Sequence, residues 1–186
     1  MILQDPKTRI GRIKLYAAMV TEIASVNGER PSLVLALGYR ESWLTFAPGY
    51  KPKGDPCGRG DSGFAHGIFQ IDHRYHSAFV NSPGFESPAE QCGYACSLLA
   101  ENRLYISHAL PSIRSSDLER GVYAAYNASV EKVTRLLEQG LDPDGCTTGK
   151  DYSRYIFTFA QALENSYPAL VTLPEGGGDF ELEDVS

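Results

Sequence analysis

The sequence predicts a mainly helical domain of α+β character, with one small irregular β element. Three observations point there. Apolar residues Ile10, Ile13, Ala17, Val20 and Ala24 recur at steps of three and four, the spacing of one helix face. Two capping boxes, Ser87-Pro88-Ala89-Glu90 and Ser116-Asp117-Leu118-Glu119, announce helix starts in the second half. Between the halves, residues 45 to 67 carry six glycines and three prolines, a composition that breaks helices and forms loops. There is no internal repeat and no alternation of strand and helix patterns.

Taken in order, the first helix follows the Ile10–Ala24 face and stops at Gly28, which favours a helix C-terminus. Pro31 suits the first turn of a second helix, which runs through Leu33-Val34-Leu35-Ala36-Leu37 to about Glu41. The Gly-rich loop follows, with short strands expected near Phe64 and over 67–71. The Ser87 box starts a helix that extends to about Ile106. The Ser116 box starts another, ending near Tyr126-Asn127. Val130 to Glu138 reads as a helix stopped by Gly140, and the last helix spans about Asp151 to Asn165, ahead of Pro168. Residues 1–170 are expected to form the domain and 171–186 an acidic, disordered tail.

Composition narrows the function. The chain has 186 residues, 42% hydrophobic, with a formal charge of −6. Five acids and no base lie between Glu175 and Ser186, leaving 18 acids against 17 bases in the remainder. A nearly neutral body argues against nucleic acid as a target. No run of about 18 apolar residues exists to insert into a membrane. The N-terminus lacks the basic-then-apolar pattern of a Sec-type signal peptide.

Glu41 is the leading candidate for chemistry. A carboxyl at the negative end of a helix dipole, beside Leu37, Trp43 and Leu44, should hold its proton unusually well, as a general acid near neutral pH requires. Its partner would be a carboxylate from the polar loop.

The order of motifs adds a resemblance. Arg40-Glu41-Ser42, Gly60-Asp61-Ser62-Gly63, Gly67-Ile68-Phe69-Gln70-Ile71-Asp72-His73-Arg74-Tyr75-His76, Ala125-Tyr126-Asn127-Ala128 and Thr147-Thr148-Gly149-Lys150-Asp151-Tyr152-Ser153 together resemble goose-type lysozymes over roughly residues 30 to 165. The Glu-Ser and Ala-Tyr-Asn-Ala pieces are shared with soluble lytic transglycosylases.

The resemblance implies a lysozyme-like fold with the β element beside a substrate cleft, and a muramidase that cleaves the β-1,4 bond between N-acetylmuramic acid and N-acetylglucosamine. Glu41 would be the acid, with Asp61 and Asp72 positioning and activating water. Gln70, Tyr126, Asn127 and Tyr152 would line the sugar cleft, and His76 matches a family substrate-contact position. Amides suit acetamido groups, and tyrosine rings suit pyranose faces. No cofactor or metal is implied: His66, His73 and His76 have no ligand spacing. The reading competes with a lytic transglycosylase that makes 1,6-anhydro products, and with a non-catalytic wall-binding module. The partner is the peptidoglycan strand, met in a bacterial periplasm or outside the cell. A phage lysin or an injected antibacterial toxin fits, the latter with a cognate immunity protein; a host-defence lysozyme is a further setting.

Two departures from the family stand out, Ser129 and Lys150, where glycines are usual. Four cysteines, Cys57, Cys92, Cys96 and Cys146, permit two disulfides. Cys92 and Cys96 lie one helical turn apart and are poorly placed to bridge each other, so each is expected to pair with Cys57 or Cys146. Four reduced thiols are the alternative.

Overall fold

The computed structural model describes residues 6–44 and 63–173. Of the tail expected over 171–186, residues from 174 on lie outside the described residues, as do Asp61 and Cys57. The elements run α1 (Pro6–Val26), α2 (Pro31–Ser42), β1 (Ala65–His66), β2 (Ile71–Asp72), α3 (His73–Val80), α4 (Pro88–Ala109), α5 (Ser115–Asn127), α6 (Val130–Glu138) and α7 (Tyr152–Ser166). Short 3₁₀ turns fall at Pro83–Glu86, Pro143–Cys146, Thr148–Lys150 and Pro168–Leu170. The architecture is mainly helical with one two-stranded antiparallel hairpin, pairing Ala65 with Asp72 and His66 with Ile71. No described helix is long and apolar enough to cross a membrane.

Helix α2 is the axis of the core. Every residue from Ser32 to Tyr39 is buried, because α1 and α7 flank it. Leu33, Leu35 and Leu37 are each at most 2% exposed, and burying such a side chain is worth about 1.5–3 kcal/mol. Helix α4 packs on α1 and α5, and α5 in turn on α6 and α7. Ile68 and Phe69, between the two strands, are fully buried. They join the hairpin to the helical core.

The end of α2 is sharply made. Trp43 (φ 58°) and Leu44 (φ 52°) both adopt the left-handed conformation. Leu44 N–H returns to Gly38 O at 3.3 Å and Trp43 N–H to Tyr39 O at 2.9 Å, the double bond of a Schellman ending. Gly38 is required at this close approach: a Cβ there would meet Leu44 Cδ2 at 2.7 Å and Phe69 Cε1 at 3.2 Å.

An ion cluster around the buried Glu29 fixes the far side of the bundle. The Arg103 guanidinium on α4 forks onto the Glu29 carboxylate, with Nη2 to Oε2 at 3.1 Å, and reaches Glu119 on α5 at 3.1 Å. The Glu29 side chain is 1% exposed, and Tyr123 OH donates to it at 3.3 Å.

Several expectations need correction. The strand expected over 67–71 is instead a turn followed by β2; Gly67 (φ 76°) makes the reversal. No helix was expected over 73–80, yet α3 forms there. It buries none of its residues, so no apolar pattern announces it, and it starts because Asp72 caps Arg74 N–H at 2.9 Å. Helix α5 begins one residue before the Ser116 box, with Arg114 at the N-cap position. Arg114 pairs with Asp117 at 2.7 Å instead.

The disulfide expectation also changes. Cys92, Cys96 and Cys146 carry free thiols. Cys92 and Cys96 are 0% and 1% exposed on the core face of α4. The Cys96 hydrogen bond first, and burial second, push the Cys92 thiol well up. Cys146 is half-buried elsewhere, its thiol donating to Pro143 O at 3.6 Å.

Candidate active site

Glu41 stands one residue before the end of α2, and its neighbours set its chemistry. The side chain is half-buried. Tyr152 OH, at the start of α7, donates a hydrogen bond to Glu41 Oε1. Burial raises the Glu41 pKa to about 7, against the opposing pulls of the Tyr152 bond and the Arg40 charge. The group therefore carries its proton up to neutral pH, the property asked of a general acid. Tyr152 is 2% exposed, and burial drives its phenol well up, so it remains a donor throughout that range.

The adjoining Ser42 ties the acid's helix to the hairpin. Its hydroxyl donates to Ile68 O at 2.7 Å. From α5, Tyr126 OH donates to Phe69 O at 3.0 Å. The Glu41 charge acts on the Tyr126 phenol, and Tyr126 in turn on Tyr152, which puts the two tyrosines and the acid in one neighbourhood. Three helices and the hairpin thus converge on Glu41.

A groove of about 860 Å³ runs alongside. Its walls come from the hairpin and α3, from one face of α4, and from the junction of α5 and α6. Gln70, Asp72, His76, Tyr126 and Asn127 line it. Glu41 and Tyr152 do not; they lie beside Tyr126.

The lining side chains are partly committed. Gln70 Nε2 donates to Gly67 O at 2.7 Å, and Gln70 itself has φ 48°. His76 Nδ1 is 3.0 Å from Tyr94 OH. Asn127 Oδ1 accepts from Thr148 N–H at 2.8 Å, which pins the turn ahead of α7 to the end of α5.

Asp72 caps α3 and also pairs with Arg74, whose Nε lies 3.0 Å from both carboxylate oxygens. That hydrogen bonding holds its pKa below the ordinary value. Asp72 is therefore ionised on the approach to neutral pH, where Glu41 still holds its proton. Two carboxyl groups with pKa values driven apart are the usual arrangement of acid and base.

The two departures from the resembled pattern differ in their local setting. Ser129 is the N-cap of α6 and accepts from Lys132 N–H at 3.4 Å. Lys150 adopts φ 55°, a conformation glycine reaches without cost. The four described non-glycine residues with positive φ are Trp43, Leu44, Gln70 and Lys150. All four lie in or next to the motif segments, and such strain gathers at functional sites.

Sequence reasoning missed the α4 wall of the groove, Leu98, Glu101 and Asn102. Their i, i+3, i+4 spacing could have signalled a shared face. Among the described residues no three His, Cys, Asp or Glu side chains converge as metal ligands. The chain matches no protein-family model and no curated protein.

Proposed function

We propose that this protein is a muramidase that hydrolyses the β-1,4 bond of peptidoglycan, with Glu41 as general acid. The observation that carries the reading is the setting of Glu41: a half-buried carboxyl, hydrogen-bonded by a buried tyrosine, beside a groove whose wall holds an ionised Asp72. In the cleavage step Glu41 gives its proton to the glycosidic oxygen. As the bond from the anomeric carbon to that oxygen breaks, positive charge grows on the carbon, and water attacks it while giving a proton to Asp72 or Asp61, which passes it on to solvent. Glu41, left ionised, recovers its proton from solvent. Tyr126, Asn127, Gln70 and His76 support the reading as amide, imidazole and phenol groups facing the groove. The wall polymer is the partner, and action belongs in the periplasm or outside the cell. A toxin role would add an immunity protein.

A second reading has its own observation. Asp72 is paired with Arg74 and caps α3, commitments that weaken it as a base. A lytic transglycosylase needs no such base, because the muramic 6-hydroxyl attacks instead. Mass spectrometry of fragments from purified sacculi separates the two: reducing ends mean hydrolysis, and 1,6-anhydro ends mean transglycosylation. Binding to sacculi with no fragments released would reject both and leave a wall-binding module.

A further inference from the structure

Arg40 directly precedes Glu41, and Asp151 directly precedes Tyr152. These two outer residues are joined: Arg40 Nη2 donates to Asp151 Oδ1 at 3.0 Å. The Arg40 guanidinium also lies over the Tyr155 ring, 4.8 Å from its centroid, and 5.6 Å from that of Tyr152. One ion pair therefore bridges the end of α2 and the start of α7, the two backbones from which Glu41 and Tyr152 project. Asp151 occupies the N-cap position of α7 yet makes no side-chain cap bond. Its carboxylate serves Arg40. The preceding turn is shaped around the pair. Gly149 has φ 78°, and a Cβ there would stand 3.1 Å from Asp151 Oδ1 and 3.8 Å from Arg40 Nη2.

We infer that Arg40 and Asp151 are positioning residues, which hold Tyr152 on one oxygen of Glu41 and balance the cation beside it, leaving the other oxygen to carry the transferable proton. This rests on the reading of Glu41 as the acid. An unbalanced guanidinium next to Glu41 would favour the carboxylate and drain the acid of its proton. With Asp151 opposite, the pair fixes geometry, and Arg40 lowers the Glu41 pKa by less than burial raises it. Among the described residues, the groups acting on Glu41 are Arg40 on α2, Tyr152 on α7 and Tyr126 on α5, with Asp151 reaching it through Arg40.

The two halves of the pair predict opposite effects. In Asp151→Asn the Arg40 charge is uncompensated, so Glu41 ionises at lower pH. In Arg40→Gln the cation is gone, so Glu41 ionises at higher pH. Each shift should be roughly half a pH unit or more. Arg40→Lys keeps the charge and should leave the midpoint near the wild-type value, although it loses the planar fork and stacking.

The experiment follows the ¹³C carboxyl resonance of Glu41 against pH in the four proteins. It needs no turnover. The pH dependence of fragment release from sacculi is measured alongside. Midpoints that diverge in opposite directions, with the lysine variant unmoved, are the expected result. Midpoints that coincide, or that move together, overturn the inference, since a pair that only stabilises the fold would not separate them. Failure of the muramidase reading is distinct: the wild-type protein would release no fragments, whatever the titrations show.

Discussion

Replacing Glu41 by Gln should change how stability depends on pH, by an amount the structure sets. An isolated carboxyl titrates near 4.5, whereas burial brings Glu41 to about 7 in the fold. Below pH 4.5 the group is neutral in both states, so wild type and Glu41→Gln differ little beyond the exchange of isosteric groups. Between pH 4.5 and 7 the unfolded chain ionises while the folded one keeps its proton. The folded state binds more protons, so stability must fall as pH rises. Above 7 both states are ionised and the loss is complete. A displacement from 4.5 to about 7 corresponds to about 3 kcal/mol, an upper figure for a side chain that is only half-buried. Glutamine keeps the oxygen that accepts from Tyr152 OH and has no proton to lose, so the variant escapes the penalty. Urea denaturation of both proteins from pH 4 to pH 8.5 measures the difference. All other titrating groups, Asp72 included, are common to the two and cancel. The variant should gain on the wild type steadily through this window and then level off. A difference that stays flat, or that moves in favour of the wild type as pH rises, would refute the argument that Glu41 is held protonated by burial.

Three further outcomes follow from the fold. Gly67→Ala should destabilise by about 2–4 kcal/mol in urea melts, because the residue has φ 76° and its Cβ would fall on the Gln91 amide oxygen that accepts from Ile68 N–H at 2.9 Å. Arg103→Met should cost about 3–5 kcal/mol at pH 7, since it strands the Glu29 carboxylate in a site 1% exposed. Thermal melts of the two proteins at pH 7 check this. Lys150→Gly should stabilise by about 0.5–1 kcal/mol by relieving a left-handed lysine at φ 55°, read as a small rise in Tm.

Much of this architecture was legible from local rules. Pro31 and the Ser87 box each act through their own backbone, and α2 and α4 begin where those residues place them. The burial of Leu33 to Leu37 could be read from an uninterrupted apolar run. Helix α3 could not, because its start depends on one aspartate cap and no residue in it is buried. The same divide runs through the site. Glu41 was visible as a carboxyl ending an apolar helix. That Tyr152 would reach it, and that Arg40 would reach Asp151, depends on α7 crossing α2 111 residues later, and no local pattern encodes such a crossing. Tyr152 was expected to face sugar and is instead buried against the acid. The cysteines show the limit of counting: an even number suggested bridges, but Cys92 and Cys96 face the core and Cys146 does not join them. What decides that outcome is the rotation of α4, which spacing alone leaves open.

In the proposed mechanism one proton, held by Glu41, breaks the glycan chain. Soluble fragments released from purified sacculi at pH 6 by wild type and by Glu41→Gln, both shown folded by near-ultraviolet circular dichroism, test it most directly. Abundant fragments are expected from the wild type, with a fall of at least about 100-fold in the variant. Equal release by the two proteins would contradict it.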